Sequence, residues 1–238
     1  MKIKALVTGH SKGLGKGVCQ AFLKQSIPVL GLSRTELEPR EGLTQNQLDL
    51  ASVQVVTRWL ADGHLDPFAQ GAQLLVLVNN AGRVGPVAPL SRQSPAEVAA
   101  SVALNVSVPL MLSAAVAQLQ AVAEKRVVQV SSGAGRSAYP GWSVYCATKA
   151  ALDHHARAVQ MDSPEGLKLV SLAPGVIDTE MQTEIRQTHE RDFPNRKRFE
   201  ALKKDGLLTN PVEAGQLLVD YALSDRFGEQ AVDDLRQR

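Results

Sequence analysis

The feature that most constrains the fold of this chain is a glycine-rich turn between a short apolar run and an amphipathic stretch. The run Ile3–Val7 has the character of a buried strand and leads directly into Thr8-Gly9-His10-Ser11-Lys12-Gly13-Leu14-Gly15. In this context Gly9 allows a tight turn, Gly13 allows the backbone to approach a pyrophosphate, and Gly15 allows close packing of helix and sheet. The N-terminus of the next helix would add free N–H groups and a positive dipole. The motif therefore predicts a dinucleotide-binding α/β fold.

The rest of the chain repeats this alternation of apolar runs with longer amphipathic stretches. We predict strands at Ile3–Val7, Pro28–Leu32, Gln45–Leu48, Leu74–Val78, Val127–Val130 and Lys168–Leu172. We predict helices at Leu14–Lys24, Ser52–Ala61, Ala96–Ala121, Ser143–Met161 and Val212–Leu223. Strands separated by helices pair in parallel through right-handed crossovers. The sequence therefore predicts a single-domain, doubly wound Rossmann fold over residues 1–238, with helices on both faces of a parallel sheet.

Composition and charge exclude several other classes of protein. The formal net charge is only +2, and no basic stripe is present that would neutralise a nucleic-acid backbone. The two cysteines, Cys19 and Cys146, lie far apart without metal-ligand spacing, so we predict neither a disulfide framework nor a metal site. The first apolar run is too short for a signal peptide or a membrane span. We expect a cytoplasmic protein that binds neither nucleic acid nor a membrane.

One segment, from Asp178 to Leu208, departs from the regular pattern because its charge is dense and its strand pattern is lost. An insertion of this length in a compact domain is typical of either a disordered segment or a lid over a site. Charge alone leaves two interpretations open, a solvated helical excursion and a substrate lid at about residues 178–208.

Four motifs in order resemble those of the short-chain dehydrogenase/reductase family. They are the glycine turn, Asp49-Leu50 after the third strand, Asn79-Asn80-Ala81-Gly82 after the fourth, and Pro174-Gly175-Val176-Ile177-Asp178-Thr179. The resemblance implies that the aspartate of the second motif holds the adenine amino group and that the final threonine contacts the nicotinamide carboxamide and phosphate. The cofactor site predicted from the turn and the resemblance comprises Thr8, Gly9, His10, Ser11, Lys12, Gly13, Leu14, Gly15, Ser33, Arg34, Asp49, Leu50, Asn80, Ala81, Gly82, Tyr145, Lys149, Pro174, Gly175, Val176 and Thr179.

A second group of residues, centred on Tyr145 and Lys149, predicts the chemistry. These two residues are four positions apart, so on a helix they share one face. Ser132 follows an apolar strand, at the carboxyl end where α/β sheets place their ligands. The interval of thirteen from Ser132 to Tyr145 resembles the family's catalytic spacing, and Asn105 falls where the family has its fourth catalytic residue. The resemblance thus implies a tetrad of Asn105, Ser132, Tyr145 and Lys149, and we expect Trp142 to form the substrate pocket with Ser132 and Tyr145.

The reaction requires these residue types. Hydride transfer to a carbonyl carbon leaves charge on oxygen, so an acid must deliver a proton, and the pKa of a free tyrosine, near 10, suits neutral pH poorly. The cation of Lys149 would lower the pKa of Tyr145 and hold the ribose hydroxyls. Ser132 would donate a hydrogen bond to the substrate oxygen, and by family analogy Asn105 would hold a water that links Lys149 to solvent. The predicted activity is reduction of a small ketone or dicarbonyl to the alcohol, or the reverse.

The residues after the second strand predict NADP(H) as the cofactor. In NAD-binding folds an acidic residue about twenty positions past the glycine turn binds the adenosine ribose, whereas a nearby arginine accommodates a 2′-phosphate. Here that strand ends in Ser33-Arg34. Lys12 matches the place where NADP-preferring members of the family carry a second basic residue. Glu36 is the counter-argument, because it could contact the ribose, but we expect the loop beyond Arg34 to turn it to solvent.

The glycine turn and the short C-terminal tail look more like the sepiapterin-reductase and benzil-reductase branch of the family than like the 3-oxoacyl-carrier-protein reductases. This resemblance implies vicinal dicarbonyls or similar activated ketones as substrates, with the acyl-carrier reductase reaction as the alternative. A non-catalytic NADP(H)-binding sensor or scaffold is a further alternative, although it should lack part of the tetrad.

The long helices resemble those that pair across the family's dimer interface, and the C-terminus departs from the Val-Asp-Gly-Gly that helps to build a tetramer. We therefore expect a homodimer.

Overall fold

A seven-stranded, wholly parallel sheet in the order β3-β2-β1-β4-β5-β6-β7 organises the computed structural model, which describes residues 1–237. The strands are β1 (Ile3–Thr8), β2 (Val29–Ser33), β3 (Leu43–Gln47), β4 (Leu74–Asn79), β5 (Glu124–Val130), β6 (Leu167–Ala173) and β7 (Val232–Asp234). The helices are α1 (Gly13–Lys24), α2 (Val53–Ala61), α3 (Leu65–Ala69), α4 (Pro95–Val102), α5 (Val108–Ala117), α6 (Ser143–Asp162), α7 (Glu180–Gln187), α8 (Arg196–Lys204) and α9 (Pro211–Leu223). The predicted doubly wound fold is confirmed.

The strands are buried on both faces, which explains why they are continuous apolar runs in the sequence. Successive side chains of a strand point to opposite faces, so in β1 the residues Ala5 and Val7 pack towards α1 and α9, whereas Leu6 packs towards α2, α5 and α6. The order of the strands reverses between β1 and β4, and in open α/β sheets a ligand crevice lies at the carboxyl ends of the strands beside such a point.

Glycines permit two very close backbone approaches around α1. A Cβ atom on Gly15 would overlap the carbonyl oxygen of Gly9, which confirms the predicted packing role of Gly15. Where α1 crosses α9, a Cβ on Gly17 would overlap the carbonyl of Pro211, and one on Gly215 would overlap the backbone of Gly17. The first helix therefore lies unusually deep against its neighbours, with its N-terminus at the edge of the ligand crevice.

Several predicted element boundaries were wrong, each for a physical reason. The helix predicted at Ala96–Ala121 ends at Ala117 and is interrupted by a π-turn at Ala103–Ser107. The prediction missed β7, which has only three residues, two of them acidic, and it missed the five-residue helix α3. Strand β3 begins two residues earlier than predicted, in a polar sequence with no apolar run.

The continuous helical stretch Pro95–Ala117 has a mean hydropathy of 1.8, and by length and composition alone it could cross a membrane. Its second half packs against the sheet through Val108, Leu112 and Val116, which are all buried in the core. Core helices commonly have this composition, so the stretch is weak evidence for a membrane span.

The segment after β6, which the sequence left undecided, contains the two helices α7 and α8. Ile185, Phe193 and Phe199 from this segment are buried in a third hydrophobic cluster together with Trp142 and Tyr145. The segment is therefore helical, and its apolar side covers the catalytic residues predicted from the sequence.

Candidate active site

A cavity of about 940 Å³ runs along the carboxyl ends of the strands, from the glycine turn to the α7–α8 segment. This volume lies at the upper end of the range typical for ligand and cofactor sites. Most of the residues predicted for the cofactor and substrate line it, and four do not: Thr8, His10, Gly15 and Asn105.

The glycine turn at one end of the cavity has the geometry needed to approach a phosphate group. Gly9 and Gly13 have φ angles of +66° and +50°, a region that side chains with a Cβ rarely adopt. Helix α1 begins at Gly13, and its first turn contains no acidic residue and receives no hydrogen bond from the side chain at its N-cap. Its N-terminal N–H groups are therefore free to bind an anion. The residues present fit the pyrophosphate of a dinucleotide.

Thr8 and His10 support the turn from behind instead of facing the cavity. The Thr8 hydroxyl accepts hydrogen bonds from the backbone N–H of Asn80 at 2.9 Å and of Ala81 at 3.0 Å. The His10 ring is fully buried over Gly31, and its Nε2 lies 2.7 Å from Oε1 of Gln45 on β3. His10, which the sequence placed among the cofactor-binding residues, has a side chain that does not line the cavity, because Gly31 in β2 leaves room for the imidazole.

At the adenosine end, Ser33, Arg34, Asp49 and Leu50 line the cavity as the sequence predicted. Within residues 1–237, no carboxylate lies within ion-pair distance of Arg34. Glu36 is exposed and is not among the residues that line the cavity. Lys12 is exposed too, but its ammonium is 3.1 Å from the carboxylate of Glu180 at the start of α7.

The nicotinamide end predicted from the Pro-Gly motif follows β6. Pro174, Gly175, Val176 and Thr179 all line the cavity, and Gly175 has a φ angle of +87°. Thr179 lies so close to the glycine turn that a Cβ on Gly13 would be only 2.9 Å from its Cγ2. The predicted phosphate-binding turn and the predicted nicotinamide segment therefore lie against each other.

Ser132, Tyr145 and Lys149 converge near the middle of the cavity. Ser132 follows β5, and Tyr145 precedes Lys149 by one turn of α6, so that all three side chains line the same cavity. The Lys149 ammonium lies 5.7 Å from the centroid of the Tyr145 ring and donates a hydrogen bond of 2.7 Å to the carbonyl of Val130. A hydroxyl acid, a hydroxyl donor and a cation thus share one small volume.

Burial strongly perturbs the pKa values of both ionisable groups. Desolvation raises the pKa of Tyr145 to about 12, an effect that the hydrogen bond with Ser132 opposes. Desolvation also lowers the pKa of Lys149 to about 8, an effect that the carboxylate of Asp153 opposes. The predicted lowering of the Tyr145 pKa by Lys149 is not found in this structure, because desolvation of the buried phenol outweighs the effect that lowers the pKa. Perturbed pKa values at convergent groups in a cleft are nevertheless typical of catalytic sites.

Asn105 stands behind this group, in the π-turn that interrupts the long helix. Its side chain donates to the carbonyl of Arg83 at 2.8 Å and accepts from the N–H of the same residue at 3.0 Å. It also donates to Oγ1 of Thr148 at 3.2 Å. A Cβ on Gly82 would be 3.3 Å from the Asn105 Oδ1 and 3.8 Å from the Lys149 Nζ, so both groups border Gly82. Single π-turns frequently occur at functional sites.

The substrate end of the cavity is aromatic. Trp142 is buried, lines the cavity as predicted, and packs edge-on against Tyr145 with ring centroids 5.4 Å apart. Phe193 stacks on Trp142 at 4.5 Å, and Phe199 lies 5.3 Å from it. Sequence reasoning missed both phenylalanines, because they lie in the highly charged segment and no apolar periodicity marks them.

Sequence reasoning also missed Asp153, a buried carboxylate one turn after Lys149. Its Oδ1 accepts hydrogen bonds of 2.7 Å from the hydroxyls of Ser131 and Ser171, and its Oδ2 lies 3.2 Å from Nε of Arg136. Asp153 thus connects α6 to the ends of β5 and β6 beside Ser132. An acid at i+4 from the lysine was the signal that could have revealed it.

These features define the class of the protein: a dinucleotide-binding domain with a buried tyrosine–lysine–serine group facing an aromatic pocket. The family model for short chain dehydrogenase matches residues 4–190. The chain is 34% identical to benzil reductase ((S)-benzoin forming) of Bacillus subtilis (strain 168) over 220 residues, 90% of each chain. It is 31% identical to sepiapterin reductase of Mus musculus, over 93% of this chain and 92% of that one.

A solved structure of a short-chain dehydrogenase/reductase from Burkholderia vietnamiensis is 45% identical, with a TM-score of 0.71 over 99% of this chain and 97% of that one. The chain belongs to the short chain dehydrogenase family. It is therefore an oxidoreductase of the kind that acts on carbonyl or alcohol groups with a nicotinamide cofactor, and the predicted resemblance to the benzil- and sepiapterin-reductase branch is confirmed.

Proposed function

We propose that this protein is an NADPH-dependent reductase of small ketones or vicinal dicarbonyls. The observation that carries the proposal is the convergence of Ser132, Tyr145 and Lys149 in a cavity whose substrate end is lined by aromatic rings. Aromatic faces bind flat, apolar carbonyl compounds through stacking and burial. The similarity to benzil reductases, whose name describes a diaryl diketone as substrate, favours the same class of compound.

Ser132, Tyr145 and Lys149 each have a distinct role in stabilising and protonating the substrate oxygen. The cofactor supplies the hydride when it is bound. Ser132 donates a hydrogen bond to the carbonyl oxygen and stabilises its developing charge, while Tyr145 transfers its proton to that oxygen. Lys149, whose ammonium donates a hydrogen bond to the carbonyl of Val130, provides the positive charge that stabilises the tyrosinate. Asn105 holds a water that returns a proton to this group through Lys149.

The choice of NADP(H) rests on Arg34, which lines the adenosine end of the cavity without a carboxylate partner among residues 1–237. A guanidinium at this point suits a ribose 2′-phosphate. Lys12 is less available than the sequence suggested, since it is paired with Glu180. Because Arg34 is unpaired among residues 1–237 and Lys12 is paired with Glu180, we expect NADPH to bind about 10²-fold more tightly than NADH.

We further propose that the protein acts in the cytoplasm as a homodimer. The stretch Pro95–Ala117 leaves apolar side chains such as Val102, 40% exposed, on its outer side, as a helix that pairs with a second copy would. The two long helices also resemble those of the family's dimer interface.

The decisive experiment measures NADPH consumption over a panel of diketones, quinones, pterins and acyl thioesters. We expect turnover of benzil and related 1,2-diketones, with NADH much less effective than NADPH. Arg34→Ala should remove most of the preference by weakening NADPH binding alone, whereas Glu36→Ala, its exposed neighbour, serves as the matched control.

Turnover restricted to acyl thioesters would instead favour the 3-oxoacyl-carrier-protein reductase alternative. Tight NADPH binding without turnover of any carbonyl would favour a sensor or scaffold. Equal efficiency with both cofactors would mean that Arg34 and Lys12 are solvated surface charges.

A further inference from the structure

Among the cations that line the cavity and have no role in the proposed chemistry is Arg198. Arg198, on α8, lines the cavity with its guanidinium 5.9 Å from the centroid of the Tyr139 ring and Nη1 3.5 Å from the Tyr139 hydroxyl. Tyr139 packs 5.3 Å from Trp142, which in turn packs 5.4 Å from Tyr145. Two aromatic rings therefore separate Arg198 from the proposed proton donor.

The two cations that precede Arg198 on α8 each form an ion pair with a carboxylate. Arg196 pairs with Glu200 at 3.0 Å, and Lys197 pairs with Glu190 at 3.0 Å. Arg198 directly follows these two cations in sequence, yet no carboxylate of residues 1–237 is within ion-pair distance of it. Its guanidinium borders the cavity beside Tyr139 and forms no ion pair in the described part of the chain.

The other charges around this end of the cavity do not provide that neighbour. Arg236, which also lines the cavity, is neutralised by the buried carboxylate of Asp234. The Glu184 carboxylate lies beside the backbone of Gly85, near the guanidinium of Arg83. The distal wall of the substrate pocket is therefore aromatic on its inner part and cationic at its rim.

We propose that Arg198 is the binding site for a carboxylate carried by the substrate. The substrate class is then an aryl ketone or 1,2-diketone with an acid group at the end remote from the reacting carbonyl. A planar guanidinium binds a carboxylate through two parallel hydrogen bonds, which lone ammonium groups do less well. This inference rests on the proposed function for the identity of the reacting carbonyl.

The size of the effect follows from the exposure of Arg198, which lies at the rim of the pocket and is open to solvent. An exposed ion pair contributes little, and a hydrogen-bonded bidentate pair partly shielded by aromatic walls contributes more. We expect a preference of about tenfold for an acid over a neutral analogue. The preference should weaken at high salt, since exposed charges are screened.

A matched pair of probes tests the proposal: benzil with a carboxylate at one ring's para position, and the corresponding primary amide, which has nearly the same shape without the charge. For the wild-type protein we expect the acid to have a kcat/KM about tenfold higher than the amide, through a lower KM. Arg198→Gln should bring this ratio close to one. Lys197→Gln, one residue away and already paired with Glu190, is the control and should leave the ratio unchanged.

Calorimetric titration of both probes into the protein loaded with oxidised cofactor separates this proposal from the reductase assignment. If the acid binds more tightly than the amide only when Arg198 is present, the carboxylate site stands even if neither probe is reduced. If both probes are reduced with equal kcat/KM by the wild type, the reductase assignment stands and the carboxylate site is overturned. Equal losses of preference in Arg198→Gln and Lys197→Gln would also overturn it, because a general positive field would then explain the result.

Discussion

The two walls of the active site, helix α6 and the α7–α8 segment, are held in place by very different interactions. On α6, the Asp153 side chain is 2% exposed and is fixed by two serine hydroxyls and Arg136. The α7–α8 segment is held at its base by ion pairs such as Lys203–Asp178, at 2.6 Å, whose side chains are 51% and 38% exposed. One wall is a buried polar network, and the other is an aromatic contact surrounded by solvated charges.

This difference indicates that the two walls differ in rigidity and therefore in their roles. A buried, fully hydrogen-bonded carboxylate is costly to disturb, because the loss of one partner leaves a charge without compensation. Exposed ion pairs contribute about 0–1 kcal/mol each, so the α7–α8 segment is held mainly by the packing of Ile185, Phe193 and Phe199. We infer that α6 fixes the geometry of proton transfer, whereas the α7–α8 segment opens and closes over the substrate. Each of the following experiments tests one side of this comparison.

The largest effect is expected from Tyr145→Phe, which removes the acid of the buried wall and keeps the ring. General acid catalysis contributes about 10²–10⁴-fold, so kcat should fall by that amount while the affinity for NADPH stays close to the wild-type value. The packing of Trp142 against residue 145 should survive, since the ring is retained. Steady-state kinetics and NADPH titration check both points. Activity above about a tenth of wild type would disprove the assignment of Tyr145 as the acid.

A second, smaller effect is expected from Asp153→Asn, through the charge state of Lys149. Burial lowers the pKa of Lys149 to about 8, and the Asp153 carboxylate opposes this because it favours the charged ammonium. Removal of the carboxylate should lower the pKa of Lys149 further. Since reduction requires the ammonium, the alkaline limb of the pH–kcat profile should move to lower pH.

The control for this shift is Ser171→Ala, which removes one hydrogen-bond donor to Asp153 and leaves its charge in place. Arg136 and, beyond it, Asp234 are the other charged groups facing this network, and both variants retain them. Both variants should lose stability, but only Asp153→Asn should move the pH profile. If the two profiles coincide, Asp153 acts by packing alone.

The same contrast explains which parts of the structure could be predicted from the sequence. The buried wall could be predicted from the sequence because its strands are apolar runs and because Tyr145 and Lys149 share a helical face, as the structure confirms. The orientation of the His10 side chain could not be predicted from the sequence, because it depends on the space left by Gly31 in a neighbouring strand. The burial of Phe193 was hidden as well, since a single apolar residue among charges indicates solvent exposure until Trp142 is seen to stack on it.

The smallest effect is expected from Lys203→Gln in the α7–α8 segment. The rate of proteolytic cleavage within the segment measures this effect directly. Phe199 is buried against Trp142, so chymotrypsin can cleave after it only when the segment opens, whereas Phe193 is followed by Pro194 and is not a cleavage site. Lys203→Gln removes the ion pair with Asp178 and should speed this cleavage by no more than about fivefold, the factor that corresponds to an exposed pair. Lys204→Gln is the matched control, because this neighbouring lysine forms no ion pair within the described residues 1–237.

NADPH together with substrate should slow the cleavage in all three proteins, because a lid that closes on ligand is drawn from the least stable part of the structure. Cleavage after Tyr145 on α6 should stay undetectable in the same time, since that wall is held by the buried network. If ligand leaves the cleavage rate unchanged, the α7–α8 segment is a fixed cover and the two walls differ only in composition. If Lys203→Gln accelerates cleavage far more than fivefold, the segment depends on that ion pair to an extent that surface electrostatics cannot provide.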